Sequence, residues 1–189
     1  MNQLLEHIGQ YVSLSIEEAN LLTSELHPIK VSKNDKLLEA GKICKCNYFV
    51  IQGCLRMYFI KESGLQHTTQ FAIENWWLSD YLSFLTQSES QFSIEPIEPS
   101  KVIAMDSDTA DYLTAEIPQL NRYFSLVTQR AYASAQMRLR YLHEFSGEDL
   151  YDHFTSRFPE FLQRVPQYMM ASYLGFTPEY FSRLRKKNK

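Results

Sequence analysis

The residues best suited to chemistry in this 189-residue chain lie near its end, in VPQYMMASYLGFTPEYFSRLRKK at positions 165–187. Arg183 can donate two hydrogen bonds to guanine O6 and N7, and Glu179 can accept one from cytosine N4. Their i, i+4 spacing puts both on one face of a helix, where Glu179 can also orient Arg183. Thr177, Arg185, Lys186 and Lys187 have the chemistry of phosphate ligands, which add salt-dependent affinity without reading sequence. Within residues 161–189, Arg164, Arg183, Arg185, Lys186, Lys187 and Lys189 face a lone Glu179, a net of +5 in a chain whose total is −3. An acidic body with a basic end is the pattern of a terminal module that meets a polyanion. A solvated Lys/Arg tail carries the same charge, and only the elements presenting it tell the two apart.

Those elements read as two short helices. Pro166 suits a helix start, and Met169, Met170, Tyr173 and Leu174 form an apolar stripe. Gly175 permits the left-handed conformation that ends a helix sharply. Thr177 is a good N-cap, Pro178 suits a first turn, and Glu179 favours the positive end of the helix dipole. Phe181 and Leu184, three apart, pin the second helix on the first. Glu179, Tyr180, Ser182, Arg183, Lys186 and Lys187 are then left pointing away, the geometry of a helix-turn-helix reader in the major groove. An ordinary helical hairpin is the alternative, but the order Ala171-x-x-Leu174-Gly175-x-Thr177 is more specific than basicity alone.

Upstream, the chain runs from Pro118 to about Phe145 without Gly or Pro. Leu120, Phe124, Val127, Ala131, Ala135, Leu139 and Leu142 advance by threes and fours and so share one face. A helix of about 28 residues spans roughly 40 Å, more than one small β domain covers. Part of this face is therefore expected to meet a second copy, with Ala131 and Ala135 permitting close approach; packing wholly within one chain is the alternative. Gly147 breaks the helix, and Glu148–Arg157 forms another with Leu150, Tyr151 and Phe154 inward.

Residues 2–26 read as helical, with Ser15 capping the second half. From His27 to Met105 the period changes. Runs at 48–51, 54–60, 67–73 and 101–105 sit between turn signals at Asn34-Asp35, Gly41, Gly53 and Gly64. Gln52-Gly53 reads as a tight hairpin turn. Short strands at this spacing suggest a β-sandwich or roll. The expected class is α+β, divided as a β-rich sensor domain (1–117), a long dimerising helix (118–146) and a helix-turn-helix module (147–189).

With 44% apolar and 14% aromatic residues a real core is expected. There is no apolar run of membrane-spanning length. The N-terminus has no basic region followed by an apolar block, so no signal peptide is expected. The odd number of cysteines argues for a reducing compartment, and the cytoplasm is expected. Cys44-x-Cys46 and Cys54 are one short of the four thiolates of an iron–sulfur site. His7, His27, His67, His143 and His153 lack metal-ligand spacing. No cofactor, metal or catalytic site is read, which weakens a metal-dependent enzyme built on the β-roll cavity.

Taken together, Gly41, Tyr48-Phe49-Val50-x-x-Gly53, Gly64, the long helix and LQRVPQYMMASYLGFTPEYFSRLRKK resemble the Crp/Fnr superfamily of bacterial regulators. They are especially similar to short forms common in Bacteroidetes. The resemblance covers nearly the whole chain. It implies an antiparallel β-roll of the cyclic-nucleotide-binding type flanked by helices, a homodimer on the long helix, and recognition of palindromic double-stranded DNA. RNA polymerase is a partner of the kind it implies. The positions matching Pro178, Glu179 and Arg183 face bases in that family.

Two departures matter. A cyclic-AMP cassette has Gly-Glu early and Arg-Ser/Thr late, the Arg pairing with the phosphate. Here Leu78-Ser79 and Gln91-Phe92 stand at those places, no Arg or Lys lies between Lys61 and Lys101, and Asp80 and Glu89 add negative charge. Cyclic AMP is therefore not the expected effector. The candidate pocket residues are Leu78, Ser79, Asp80, Tyr81, Gln91 and Phe92. Trp76, Trp77, Tyr81 and Phe84 either line a pocket for a neutral small molecule or are plain core. The sequence also ends a few residues after the recognition helix, so the family's β-hairpin wing and its phosphate contacts are expected to be missing. The expected function is a dimeric transcription regulator; a non-DNA sensor or protein-interaction module on the same scaffold is the alternative.

Overall fold

Ser15 opens the second of two short N-terminal helices, α1 (Asn2–Gly9) and α2 (Ile16–Glu25). Its hydroxyl accepts from the Glu18 amide at 3.2 Å, and the Glu18 carboxylate accepts from the Ser15 amide at 2.7 Å. This reciprocal pairing satisfies two donors a helix start otherwise leaves bare. The computed structural model describes residues 1–33 and 35–187. Asn34, half of the Asn34-Asp35 turn signal, and the terminal Lys189 lie outside the described residues. Asp35 does close a turn, accepting from the Ser32 amide at 2.6 Å.

The chain divides into two units, Met1–Phe59 with Gln70–Gln129, and Ile60–Thr69 with Arg130–Lys189. The β-branched and aromatic runs form strands as expected: β2 (Cys46–Gln52), β3 (Leu55–Ile60), β4 (Gln66–Ala72) and β7 (Ser100–Asp106). Three shorter strands join them, β1 (Pro28–Val31), β5 (Trp77–Leu78) and β6 (Ser93–Pro96). One sheet has the order β1-β7-β2-β5 and the other β4-β3-β6. The pairs β1–β7, β2–β7, β2–β5 and β3–β6 are antiparallel.

The hairpin expected at Gln52-Gly53 is not formed. β2 pairs with β5 and β7, whereas β3 pairs with β6 and neighbours β4. Gly53 is thus a corner that carries the chain from one sheet to the other. It has φ +102° and lies so close to Ser100 that a methyl group would overlap it. A glycine with positive φ between two strand-like runs serves a turn or a corner equally well, and local sequence does not separate them.

β2 is central and buried on both faces. Tyr48 and Val50 point into the roll with Leu38, Leu55, Leu78, Ile94 and Val102. Phe49 points the other way, to Leu4, Ile8, Leu22, Leu26, Trp77, Ile103 and Leu113 in the helical layer. Its neighbour β7 alternates likewise, Val102 inward and Ile103 and Met105 outward. The helical layer comprises α1, α2, α4 (Ser107–Glu116) and the start of α5 (Gln119–Glu144). There the Tyr123 hydroxyl accepts from Trp77 Nε1 at 2.8 Å and shares a second 2.8 Å hydrogen bond with His7 Nδ1. Burial pushes the Tyr123 hydroxyl well above the ordinary tyrosine pKa, so it stays protonated.

The roll also holds a buried charge cluster invisible to local pattern. Glu95 receives Arg56 Nε at 2.8 Å and Nη2 at 2.6 Å on one oxygen. Its other oxygen takes Tyr58 Oη at 3.2 Å and the Lys36 ammonium. Arg56 is only 3% exposed. Burial pushes the Glu95 carboxyl up, but the hydrogen bonds and charges of Lys36 and Arg56 outweigh it and hold it below its ordinary value. Glu95→Gln leaves Arg56 buried without its counter-charge and is expected to cost about 3 kcal/mol in urea unfolding. A lowered folded-state pKa stabilises fully above the unfolded value of about 4.3 and is lost as pH falls through the folded one. The gap between wild type and Glu95→Gln is therefore expected to narrow below about pH 4.

Candidate nucleic-acid interface

In the second unit, α6 (Gly147–Arg157), α7 (Phe161–Arg164), α8 (Gln167–Leu174) and α9 (Pro178–Lys187) surround an aromatic core. Leu150, Tyr151, Phe154, Phe161, Met170, Leu174, Phe181 and Leu184 are buried, as the apolar spacing of these helices requires. Phe154 meets Phe161 and Tyr173 edge-on, and Tyr151 meets Phe181 at 5.4 Å. α8 ends at Gly175, whose φ is +76°, and the Phe176 amide reaches back to the Ala171 carbonyl at 2.8 Å. α9 begins three residues later at Pro178, with the Thr177 hydroxyl accepting from the Tyr180 amide at 3.2 Å.

The inward face of α9 is Phe181 and Leu184. Glu179, Arg183 and Lys186 are exposed on the opposite side, and Ser182 and Arg185 are half-buried beside them. Thr177 and Pro178 are exposed at the helix start. Of the other two residues expected to point away, Tyr180 is turned partly inward and Lys187 is exposed but paired. Tyr180 is half-buried, its ring edge-on to Phe176 at 5.1 Å and its hydroxyl against Gly147. Lys187 binds the Glu148 carboxylate of α6 at 2.7 Å, which raises its ammonium pKa. A helical wheel misses this because both residues lie at the border between the two faces. The Arg183 guanidinium carbon sits 5.0 Å from the Tyr180 ring centre.

Sequence reading also missed how α8 is held. The Ser172 hydroxyl accepts from the Thr68 amide at 2.9 Å and donates to the Gln66 carbonyl at 3.2 Å. Arg138 of α5 donates to the carbonyls of Thr69 at 3.0 Å and Tyr173 at 2.6 Å, its guanidinium stacked 4.0 Å from the Tyr173 ring centre. One arginine and one serine thus tie the first helix of the pair to the 66–69 strand.

Along α5, Leu120 is 1% exposed in the core of the first unit, and Phe124 and Val127 pack partly against that core. Ala131, Ala135, Leu139 and Leu142 of the same expected face are exposed, as are Tyr132 and Met137. The residues expected to form an effector pocket are spread over one loop-helix segment. Leu78, Ser79 and Asp80 are buried, Tyr81 and Gln91 are exposed, and Phe92 is half-buried with its ring 6.2 Å from that of Phe59. Asp80 caps α3 (Tyr81–Thr86), accepting from the Leu82 and Ser83 amides at 3.2 and 3.4 Å and from the Ser90 hydroxyl at 2.6 Å. Trp77 lies in the helical layer, Phe84 packs on the roll core, and Trp76 is exposed.

A β-roll built on two antiparallel sheets, a long helix and a terminal helix-turn-helix together define the Crp/Fnr-type fold, and comparison with solved structures agrees. FixK2 from Bradyrhizobium japonicum superposes with a TM-score of 0.70 at 15% identity, over 86% of this chain and 83% of that one. A protein from Eubacterium rectale described as a transcriptional regulator of the crp/fnr family gives 0.69 at 13% identity, over 92% and 83%. The c-di-GMP-responsive global regulator CLP of Xanthomonas campestris gives 0.67 at 11% identity, over 92% and 91%. No protein-family model matches the sequence, and no curated protein matches it by sequence.

The serine tie has a direct readout. In Ser172→Ala the Thr68 amide loses its acceptor, and its hydrogen exchange is expected to quicken by about tenfold, the equivalent of one modest hydrogen bond.

Proposed function

We propose that this chain is a transcription regulator that binds double-stranded DNA as a homodimer, with α9 in the major groove. The observation that carries this reading is the exposed Glu179–Arg183–Lys186 face of α9, set opposite a buried Phe181–Leu184 seam. Arg183 supplies the bidentate donor for a guanine and Glu179 the acceptor for a cytosine. Thr177, Arg185 and Lys186 contact flanking phosphates and set affinity rather than sequence. Lys187 serves a phosphate only by leaving Glu148.

The dimer reading draws on α5. A stretch carrying Tyr132 at 65% and Leu139 at 57% exposure, together with the exposed Ala131 and Ala135, is the surface two helices use to approach closely. A homodimer sets two recognition helices against half-sites one helical turn apart. The roll takes no cyclic AMP: the start of α3 is already occupied by the Asp80 carboxylate, and Phe92 packs near Phe59. An anion placed there meets a fixed negative charge.

Selection from random-sequence duplexes at near-physiological salt tests the main claim. Wild type is expected to enrich a two-fold-symmetric motif, and Arg183→Ala to lose about tenfold discrimination at one base pair of each half-site. Enrichment of no motif favours the non-DNA interaction module instead, whereas the same motif from both proteins means that Arg183 does not read bases. Sedimentation tests the dimer, with Leu139→Glu expected to shift it toward monomer. Saturating cyclic AMP is expected to leave the thermal midpoint unchanged, because a ligand that binds the native state raises it.

A further inference from the structure

Within the helix-turn-helix, α6 does more than fill the core. Its first turn grips α9 at two points seven residues apart, and so on one face of that helix. At one, Gly147 meets the Tyr180 hydroxyl and ring so closely that any Cβ would overlap them. At the other, Glu148 binds Lys187 at 2.7 Å. Ser146 caps this turn of α6, accepting from the Asp149 amide at 3.2 Å, so the surface that Tyr180 rests on is itself fixed. Phe176 closes the other side of the ring at 5.1 Å and 88°. The Tyr180 ring is thus held by Gly147 and Phe176, and the Arg183 guanidinium lies over it at 5.0 Å.

We propose that Tyr180 is the positioning residue for Arg183, with Gly147 of α6 setting the ring and the ring setting the angle at which the guanidinium leaves α9. This rests on the reading of α9 as the recognition helix. An arginine side chain with four rotatable bonds loses much freedom on pairing with a base. A guanidinium already stacked on an aromatic face has lost part of it before DNA arrives. Specificity at the Arg183 base pair then depends on a glycine that reaches no nucleic acid.

Two readouts test it, one without DNA. In the free protein, NMR is expected to show the Arg183 side-chain protons shifted upfield by the ring in wild type and Tyr180→Phe, and unshifted in Tyr180→Leu. In duplex selection, Tyr180→Phe is expected to keep wild-type discrimination at the base pair that Arg183→Ala identifies. Tyr180→Leu and Gly147→Ala are expected to lose about two- to fivefold there, the scale of an exposed cation–π contact, and to leave other positions unchanged. If Gly147→Ala does not fold, the two Tyr180 variants decide alone. A loss in Tyr180→Phe at a different base pair would mean that the hydroxyl itself reads DNA, and the proposal is overturned. Unchanged discrimination in Tyr180→Leu overturns it too. Should wild type enrich no motif while the upfield shift holds, the DNA reading has failed and the role in recognition falls with it. Absence of the upfield shift in wild type overturns the proposal and leaves the DNA reading of α9 standing.

Discussion

A helix that presents its polar face outward has to be held entirely by what remains, and α9 has only ten residues for both tasks. Phe181 and Leu184 supply the apolar hold, the Thr177 hydroxyl finishes the first turn, and α6 braces one edge through Gly147 and Glu148. The outward strip left over is narrow: Glu179, Arg183 and Lys186, with Ser182 beside them. Much of the second unit follows from this division. Its aromatic core is large for four short helices, because each is too short to be stable alone and takes its stability from packing.

The first unit answers a different demand. β2 lies between a roll and a helical layer, so Tyr48 and Val50 belong to one core and Phe49 to another. That double burial explains why the 48–51 run is apolar without alternation. It also explains the hydroxyl and indole groups around His7. Tyr123 and Trp77 bring apolar mass to the helical layer, and their polar atoms satisfy each other there.

Turn chemistry made the terminal helix pair legible. Gly175, Thr177 and Pro178 each act within a few residues, so their meaning survives without tertiary context. The strand runs were legible for the same reason, through β-branched and aromatic content. Pairing was not. Gln52-Gly53 looks like a hairpin because a corner between sheets uses the same residue type, and only the partners of β2 and β3 distinguish them. Arg56 and Glu95 lie 39 positions apart, and nothing near either announces the other. The Ser172 and Arg138 ties to residues 66–69 are likewise long-range and run largely through backbone atoms, which sequence does not mark. Tyr180 sits at the border of two helical faces, where periodicity assigns it to neither.

Asp80 bears on the routes by which this roll can change. Its carboxylate satisfies two backbone amides and the Ser90 hydroxyl at once. A substitution that removes it strands those donors and gains no ligand, because no cation has arrived. A cation introduced at Gln91 or Phe92 while Asp80 remains is drawn to that carboxylate instead of to a phosphate. Each change alone is a loss, and only the two together approach an anion site. The fold is thereby separated from any anion-binding version of itself by a valley one mutation wide, and a single substitution does not cross it.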